Sequence, residues 1–286
     1  MRGINFTALR GDAFAVFLLL FNISDRTGKK SSGQRKYVII YPKAFCHNPF
    51  TFPHSIGKIQ LFTNLQNQRC QNGRNGGIMK VLLINGSPKK EGCTYTALKE
   101  VADELERNGV ETEIFHIGTA PVKGCMGCGY CAKTGNHQCV YNDDTLNEAI
   151  LKAKDADGFV FGSPVHYASA SGAITSFLDR LFYAGYPMAH KPGAAVVSCR
   201  RGGATAALDQ LNKYFTIAQM PVVSSNYWNM VHGNTPEEVC QDKEGLQTMR
   251  ILGRNMAWML KCIEAGKNNG VAVPEAEAKV KTNYIR

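Results

Sequence analysis

The chain has 286 residues, with 33 Lys and Arg against 23 Asp and Glu, a formal charge of +10, ten cysteines and 44% hydrophobic residues. The charge is unevenly spread, because residues 1–78 hold 11 basic and 2 acidic side chains and leave only +1 for residues 79–286. This distribution argues against a basic nucleic-acid-binding face on the part able to fold, and the apolar run at 13–21 is too short to span a bilayer.

Residues 1–78 show no sustained helical or strand period. Arg2 and Arg10 precede the apolar run as in a signal peptide, but Asp12 intervenes and no small-x-small cleavage site follows. The rest is rich in Asn, Gln, Arg, Lys, Ser and Gly, a composition that buries too little surface to order itself. Three readings stand: a segment outside the working protein, with Met79 as the true start; a disordered tail; or a targeting or membrane-associating leader. The first is the expectation, and peptides from before Met79 in natively expressed protein would contradict it.

From Met79 onward strand and helix alternate. Strands are expected at 80–85, 111–117, 158–162, 194–199 and 222–227, and helices at 94–108, 144–154, 173–183, 205–219 and 243–265. The helices carry apolar faces, such as Leu98, Val101, Ala102 and Leu105 in the first and Met249, Leu252, Met256 and Leu260 in the last. Such a chain folds as a doubly wound five-stranded parallel sheet with helices on both faces, over residues 79–266, followed by a polar tail at 267–286. Ligands in such sheets lie beyond the carboxyl ends of the strands. The loops 86–96, 163–172 and 198–205 leave strands at that edge, and each combines small residues with polar donors.

The first of these loops is the most telling. An apolar strand runs into Gly86, Ser87, Gly92, Thr94 and Thr96 and then into a helix, whose first turn offers unpartnered N–H groups and the positive end of a dipole. A phosphorylated small molecule suits that arrangement. The loop is neither a Walker loop nor a G-x-G-x-x-G turn.

The G-S-P-K-K-x-G-x-T start, the Gly162-Ser-Pro-Val-His-Tyr167 loop and the Ser176-Phe-Leu-Asp-Arg180 helix together resemble the NADPH-dependent FMN reductase family. The resemblance covers the chain after Met79 and implies a flavodoxin-like fold. It implies that Ser87, Lys89, Gly92, Thr94 and Thr96 hold an FMN phosphate. It further implies that Pro164, Val165, His166 and Tyr167 line the flavin ring, and that Arg200, Arg201, Gly202 and Gly203 close its other side. Cys93 stands where such loops often carry Asn, and a thiol is a poorer donor than an amide. The activity implied is NAD(P)H-dependent reduction of FMN and onward transfer to a flavin, quinone or similar acceptor, in a cytoplasmic protein that pairs with copies of itself. Asp179 and Arg180 are expected to make an ion pair or cap that holds their helix.

Eight cysteines follow Met79, and four of them are spaced Cys125-x2-Cys128-x2-Cys131-x7-Cys139. That crowding reads as metal or redox chemistry in a reducing compartment. Three thiols at x2 spacing in a Gly-rich loop can wrap around part of an iron–sulfur cubane, and a fourth closes it. The pattern resembles the iron–sulfur flavoprotein branch of the same family, although x7 is longer than the usual last spacing. Zinc and free redox-active thiols are the alternatives. With a [4Fe–4S] cluster the chain would be an electron carrier between protein partners. Cys199, Cys240 and Cys262 read as small buried side chains.

Overall fold

The structure is a computed structural model that describes residues 78–184, 187–278 and 280–282, together with the backbone of three short strands nearer the start. The chain divides into two compact units, Met1–Asn72 and Gly73–Arg286. In the first, β1 (Phe6–Leu9), β2 (Val16–Leu19) and β3 (Val38–Ile39) pair antiparallel in that order. The expectations of a disordered tail or a non-native leader fall almost wholly outside the described residues.

The second unit runs β4 (Lys80–Asn85), α1 (Cys93–Arg107), β5 (Glu111–His116), α2 (Tyr130–Thr134), α3 (Leu146–Asp155), β6 (Gly158–His166), β7 (Ser169–Ala170), α4 (Gly172–Tyr183), β8 (Gly193–Cys199), α5 (Ala204–Ile217), β9 (Met230–His232), α6 (Pro236–Gln241) and α7 (Lys243–Asn268). The sheet order is β5-β4-β6-β8-β9, all parallel, with β7 pairing antiparallel to β6 as a sixth strand. In chain order this is the 2-1-3-4-5 arrangement of flavodoxin-like sheets, whose switch point falls between β4 and β6.

The central strands are buried on both faces, so their side chains alternate between two cores. Leu82, Ile84, Phe159, Phe161, Ala195 and Val197 face α3, α4 and α5. Val81, Leu83, Val160, Ala194 and Val196 face α1, α6 and α7. This is the expected three-layer architecture. Small residues set how closely the layers approach: a Cβ on Gly162 would lie 2.7 Å from Leu98 Cδ1 and 2.9 Å from Thr94 Cγ2, so glycine lets α1 pack directly over β6.

Two expectations need correction. The segment 222–227 is not a strand; only Val222 bridges to Gly193, and the edge strand is β9. The Ser225 hydroxyl lies 2.7 Å from both Tyr227 O and Asn229 Oδ1 and accepts from the Tyr227 N–H. Side-chain bonding of this kind competes with ladder pairing and bends the chain out of the sheet until Met230. Cys240 and Cys262 are exposed; of the three supposed core cysteines, only Cys199 is buried. Among the described residues, no helix is long and apolar enough to cross a membrane.

Candidate functional site

The three loops at the carboxyl edge of the sheet interlock. Ser171 Oγ donates to Gly86 O at 2.9 Å and accepts from Ile174 N as the cap of α4, which ties the second loop to the first. Thr94 Oγ1 and Ser198 Oγ lie 2.8 Å apart, buried, and tie the first loop to the third. Gly203, at φ +92°, caps α5, and a Cβ there would meet Ala168 Cα at 2.6 Å, so the third loop is pressed against the second.

Within the first loop, Asn85 holds the turn through Nδ2 to Lys90 O at 3.0 Å and Oδ1 to Ser87 N at 3.0 Å. His116 Nε2 reaches Ser87 O at 2.8 Å. Helix α1 opens at Gly92 with no side-chain cap and no acidic residue in its first turn. Its first N–H groups and its positive dipole end therefore face the loop with no carboxylate in the helix's own first turn. Ser87 Oγ accepts from Lys89 N at 3.1 Å, which leaves its own hydrogen to donate. The hydroxyls of Thr94 and Thr96 have partners within the protein. The Thr94 hydroxyl is engaged with Ser198, and the Thr96 hydroxyl turns back to Gly92 O at 3.3 Å. Burial pushes the Cys93 thiol up, so it stays protonated at neutral pH; its sulfur donates to Gly233 O at 3.7 Å.

The second loop is more ordered than the sequence suggests. Strand β6 continues through Pro164 to His166 and turns back into β7 through two residues, with Val165 opposite Ala170 and His166 opposite Ser169. Both turn residues are left-handed, Tyr167 at φ +49° and Ala168 at φ +57°. That conformation matches strand twist in a two-residue hairpin, but side chains other than Gly and Asn pay a steric penalty in it. The Tyr167 side chain projects from the tip fully exposed, and His166 is exposed beside it. Arg200, Arg201 and Gly202 are exposed on the third loop, just after buried Cys199.

The sequence from residue 79 to residue 235 matches the profile of the NADPH-dependent FMN reductase family. The chain belongs to that family. An iron–sulfur flavoprotein of Methanocaldococcus jannaschii is 33% identical over 195 residues, 65% of this chain and 100% of the relative. An FMN-dependent NADPH-azoreductase of Staphylococcus saprophyticus is 29% identical over 103 residues, 36% of this chain and 52% of the relative. Among solved structures, RosB with a bound 8-demethyl-8-formylriboflavin-5′-phosphate intermediate superposes with a TM-score of 0.51 at 15% identity, covering 73% of this chain and 94% of RosB. That likeness is one of fold. Within the family the chain stands with the iron–sulfur flavoprotein branch, and it is an oxidoreductase by descent.

The cysteine motif occupies the long connection between β5 and α3. Gly127 and Gly129, both at φ +67°, let the chain wrap tightly before α2. Cys125, Cys128, Cys131 and Cys139 line one hollow, together with Tyr141, Arg180 and Tyr183. Cys125 and Cys128 are exposed, whereas Cys131 and Cys139 are half-buried. Cys131 Sγ lies 3.2 Å from Tyr183 O. Among the described residues, no group of three or more His, Cys, Asp or Glu is gathered closely enough to hold a single metal ion. A tetrahedral zinc site needs its donors about 2.3 Å from one centre, while a cubane takes each thiol at a separate corner. Four thiols around one hollow, on glycine turns, suit the larger group.

Arg180 makes the expected ion pair, with a partner that the sequence does not indicate. It is 2% exposed and pairs not with Asp179 but with Asp144, through Nη1 and Nη2, while Nε points at Cys139 Sγ at 3.2 Å. Burial lowers the guanidinium pKa, but the hydrogen bonds to Asp144 and Cys139 more than offset this and raise it. Asp179 instead accepts from Tyr214 OH at 2.5 Å. Met188, past the end of α4, is buried, whereas Tyr183 is exposed.

Proposed function

We propose that the protein binds FMN across its three interlocked loops and takes hydride from NAD(P)H for transfer to a flavin, quinone or similar acceptor. The observation that carries this reading is the uncapped start of α1 at the switch point, joined by the Ser171–Gly86, Thr94–Ser198 and Gly203–Ala168 contacts to the loops that would flank a ring. Bound FMN would supply the hydride-accepting and electron-releasing chemistry. The chain supplies position and charge. The first N–H groups of α1, the Ser87 hydroxyl and Lys89 would hold the phosphate, with Gly92 giving close backbone approach. Thr94 and Thr96 would serve by fixing loop shape, since their hydroxyls are already engaged. Pro164, Val165 and His166 would form one wall of the ring site, and exposed Tyr167 would meet whatever enters it. Arg200 and Arg201, with Gly202 and Gly203, would bring positive charge to the opposite wall and favour the anionic, reduced form of a bound ring. Association with further copies, so that a neighbour covers part of the site, and a reducing cytoplasmic setting belong to the same reading.

A second reading is favoured by the four cysteines around one hollow and by the relationship to an iron–sulfur flavoprotein. Here Cys125, Cys128, Cys131 and Cys139 would hold a [4Fe–4S] cluster, and the chain would relay single electrons between FMN and a protein partner. Anaerobic purification with iron and sulfide assays separates the two. A yellow, iron-free protein that oxidises NADPH rapidly with a quinone supports the reductase. A brown protein with about four irons per chain, slow with quinones, supports the carrier.

A further inference from the structure

Arg180 makes a set of contacts that an ordinary structural ion pair does not need. Asp144 alone neutralises the guanidinium, taking Nη1 on Oδ2 and Nη2 on Oδ1, the latter at 3.2 Å. The same Nη1 reaches Lys123 O at 3.3 Å, and the group lies 5.2 Å from the Tyr141 ring. A further donor, Nε, is directed at the sulfur of Cys139 at 3.2 Å. A neutral thiol is a weak acceptor, so a buried cationic N–H is poorly served by it. A metal-bound thiolate carries negative charge and is a far better partner.

The backbone of Cys139 is fixed as well. Asn147 Oδ1 accepts from Cys139 N at 2.8 Å, and Asn147 Nδ2 donates to Cys139 O at 3.0 Å. Arg180 therefore clamps both ends of the cysteine connection, through Lys123 before Cys125 and through Cys139 and Asp144 after Cys131. Cys139 is held at its backbone and its sulfur while Cys125 and Cys128 stand exposed.

We propose that Arg180 is a positioning residue for a cysteine-bound iron–sulfur cluster: it presets Cys139 as the fourth ligand and raises the cluster's reduction potential through an Nε–H···S hydrogen bond. This rests on the cluster reading above. When the cluster takes up one electron its sulfurs become more negative, so a charged donor on one of them stabilises the reduced form more than the oxidised form.

The test uses the full chain, reconstituted anaerobically with iron and sulfide, as wild type and as Arg180→Lys. Arg180→Lys keeps the positive charge but cannot serve Asp144 and the sulfur together. Iron per chain is measured, and the midpoint potential is taken by dithionite titration followed in the visible. In parallel, wild type carrying 15N-labelled arginine is reduced and studied by pulsed EPR. The expected results are a full cluster in both proteins, a lower midpoint potential in Arg180→Lys, and a 15N coupling in the wild type. Equal potentials at equal iron content, or no arginine 15N coupling, would overturn the inference while leaving the cluster reading intact. If Arg180→Lys fails to fold, the labelled wild type decides alone. A wild type that takes up no iron overturns the cluster reading and this inference with it.

Discussion

Gly203 shows how much of the site hangs on single atoms. It holds φ +92° and leaves no room for a Cβ, which would stand 2.6 Å from Ala168 Cα. Gly203→Ala therefore forces the third loop away from the hairpin tip. Urea unfolding should show a loss of about 1–3 kcal/mol, and FMN titration should show affinity weakened roughly tenfold, about 1.4 kcal/mol. A variant with unchanged FMN affinity would separate the third loop from the site. At this scale the sequence is a partial guide. Gly92 and Ser87 lie in the turn that leads into α1, as local spacing predicts. The partners of Thr94 and Arg180, Ser198 and Asp144, lie 104 and 36 residues away, and no local pattern encodes such pairings.

The hairpin of β6 and β7 is the element that would shape the ring side of the proposed site. Its turn is Tyr167-Ala168 where Asn-Gly would be the unstrained choice. Ala168→Gly should relieve the left-handed strain and raise stability by about 0.5–1 kcal/mol, whereas Ala168→Val should lower it by about 1 kcal/mol, both read from chemical denaturation. The sequence left this stretch as a loop because the turn lacks an Asn-Gly signal. Strand β4, by contrast, was legible residue for residue, since a short apolar run with a glycine stop has few other fates. The failure at 222–227 has the opposite cause: Val222, Val223 and Tyr227 look like a strand, but Ser225 takes the backbone for itself. On the edge strand β5, Glu113 sits between Lys80 at 2.8 Å and Lys152 at 2.7 Å. Burial acts to raise its pKa, but hydrogen bonds and charge from the two lysines outweigh that and depress it. A depressed carboxylate stabilises the fold above its unfolded value of about 4.3. That contribution is lost as pH falls through the lower, folded pKa. Glu113→Gln should cost about 0.5–1 kcal/mol at pH 7, and its denaturation curve should converge with that of wild type in acid.

For the molecule as a whole, the sheet order places α1 at the switch point, and the core it shares with α6 and α7 holds it there. Helix α7, which lies beyond the segment matched by the family, packs on α1 through Met249, Leu252, Met256 and Leu260, all essentially buried. The loops that interlock at the rim are therefore fixed by layers that the strand and helix periods predicted well. The central claim is that those loops together grip FMN by its phosphate and its ring. The most direct measurement is titration of the purified chain with FMN, followed by quenching of flavin fluorescence and by calorimetry. Saturable binding of one FMN per chain, weakened in Gly203→Ala, is the predicted result. Material that stays colourless and leaves the fluorescence of added FMN unquenched would contradict the account.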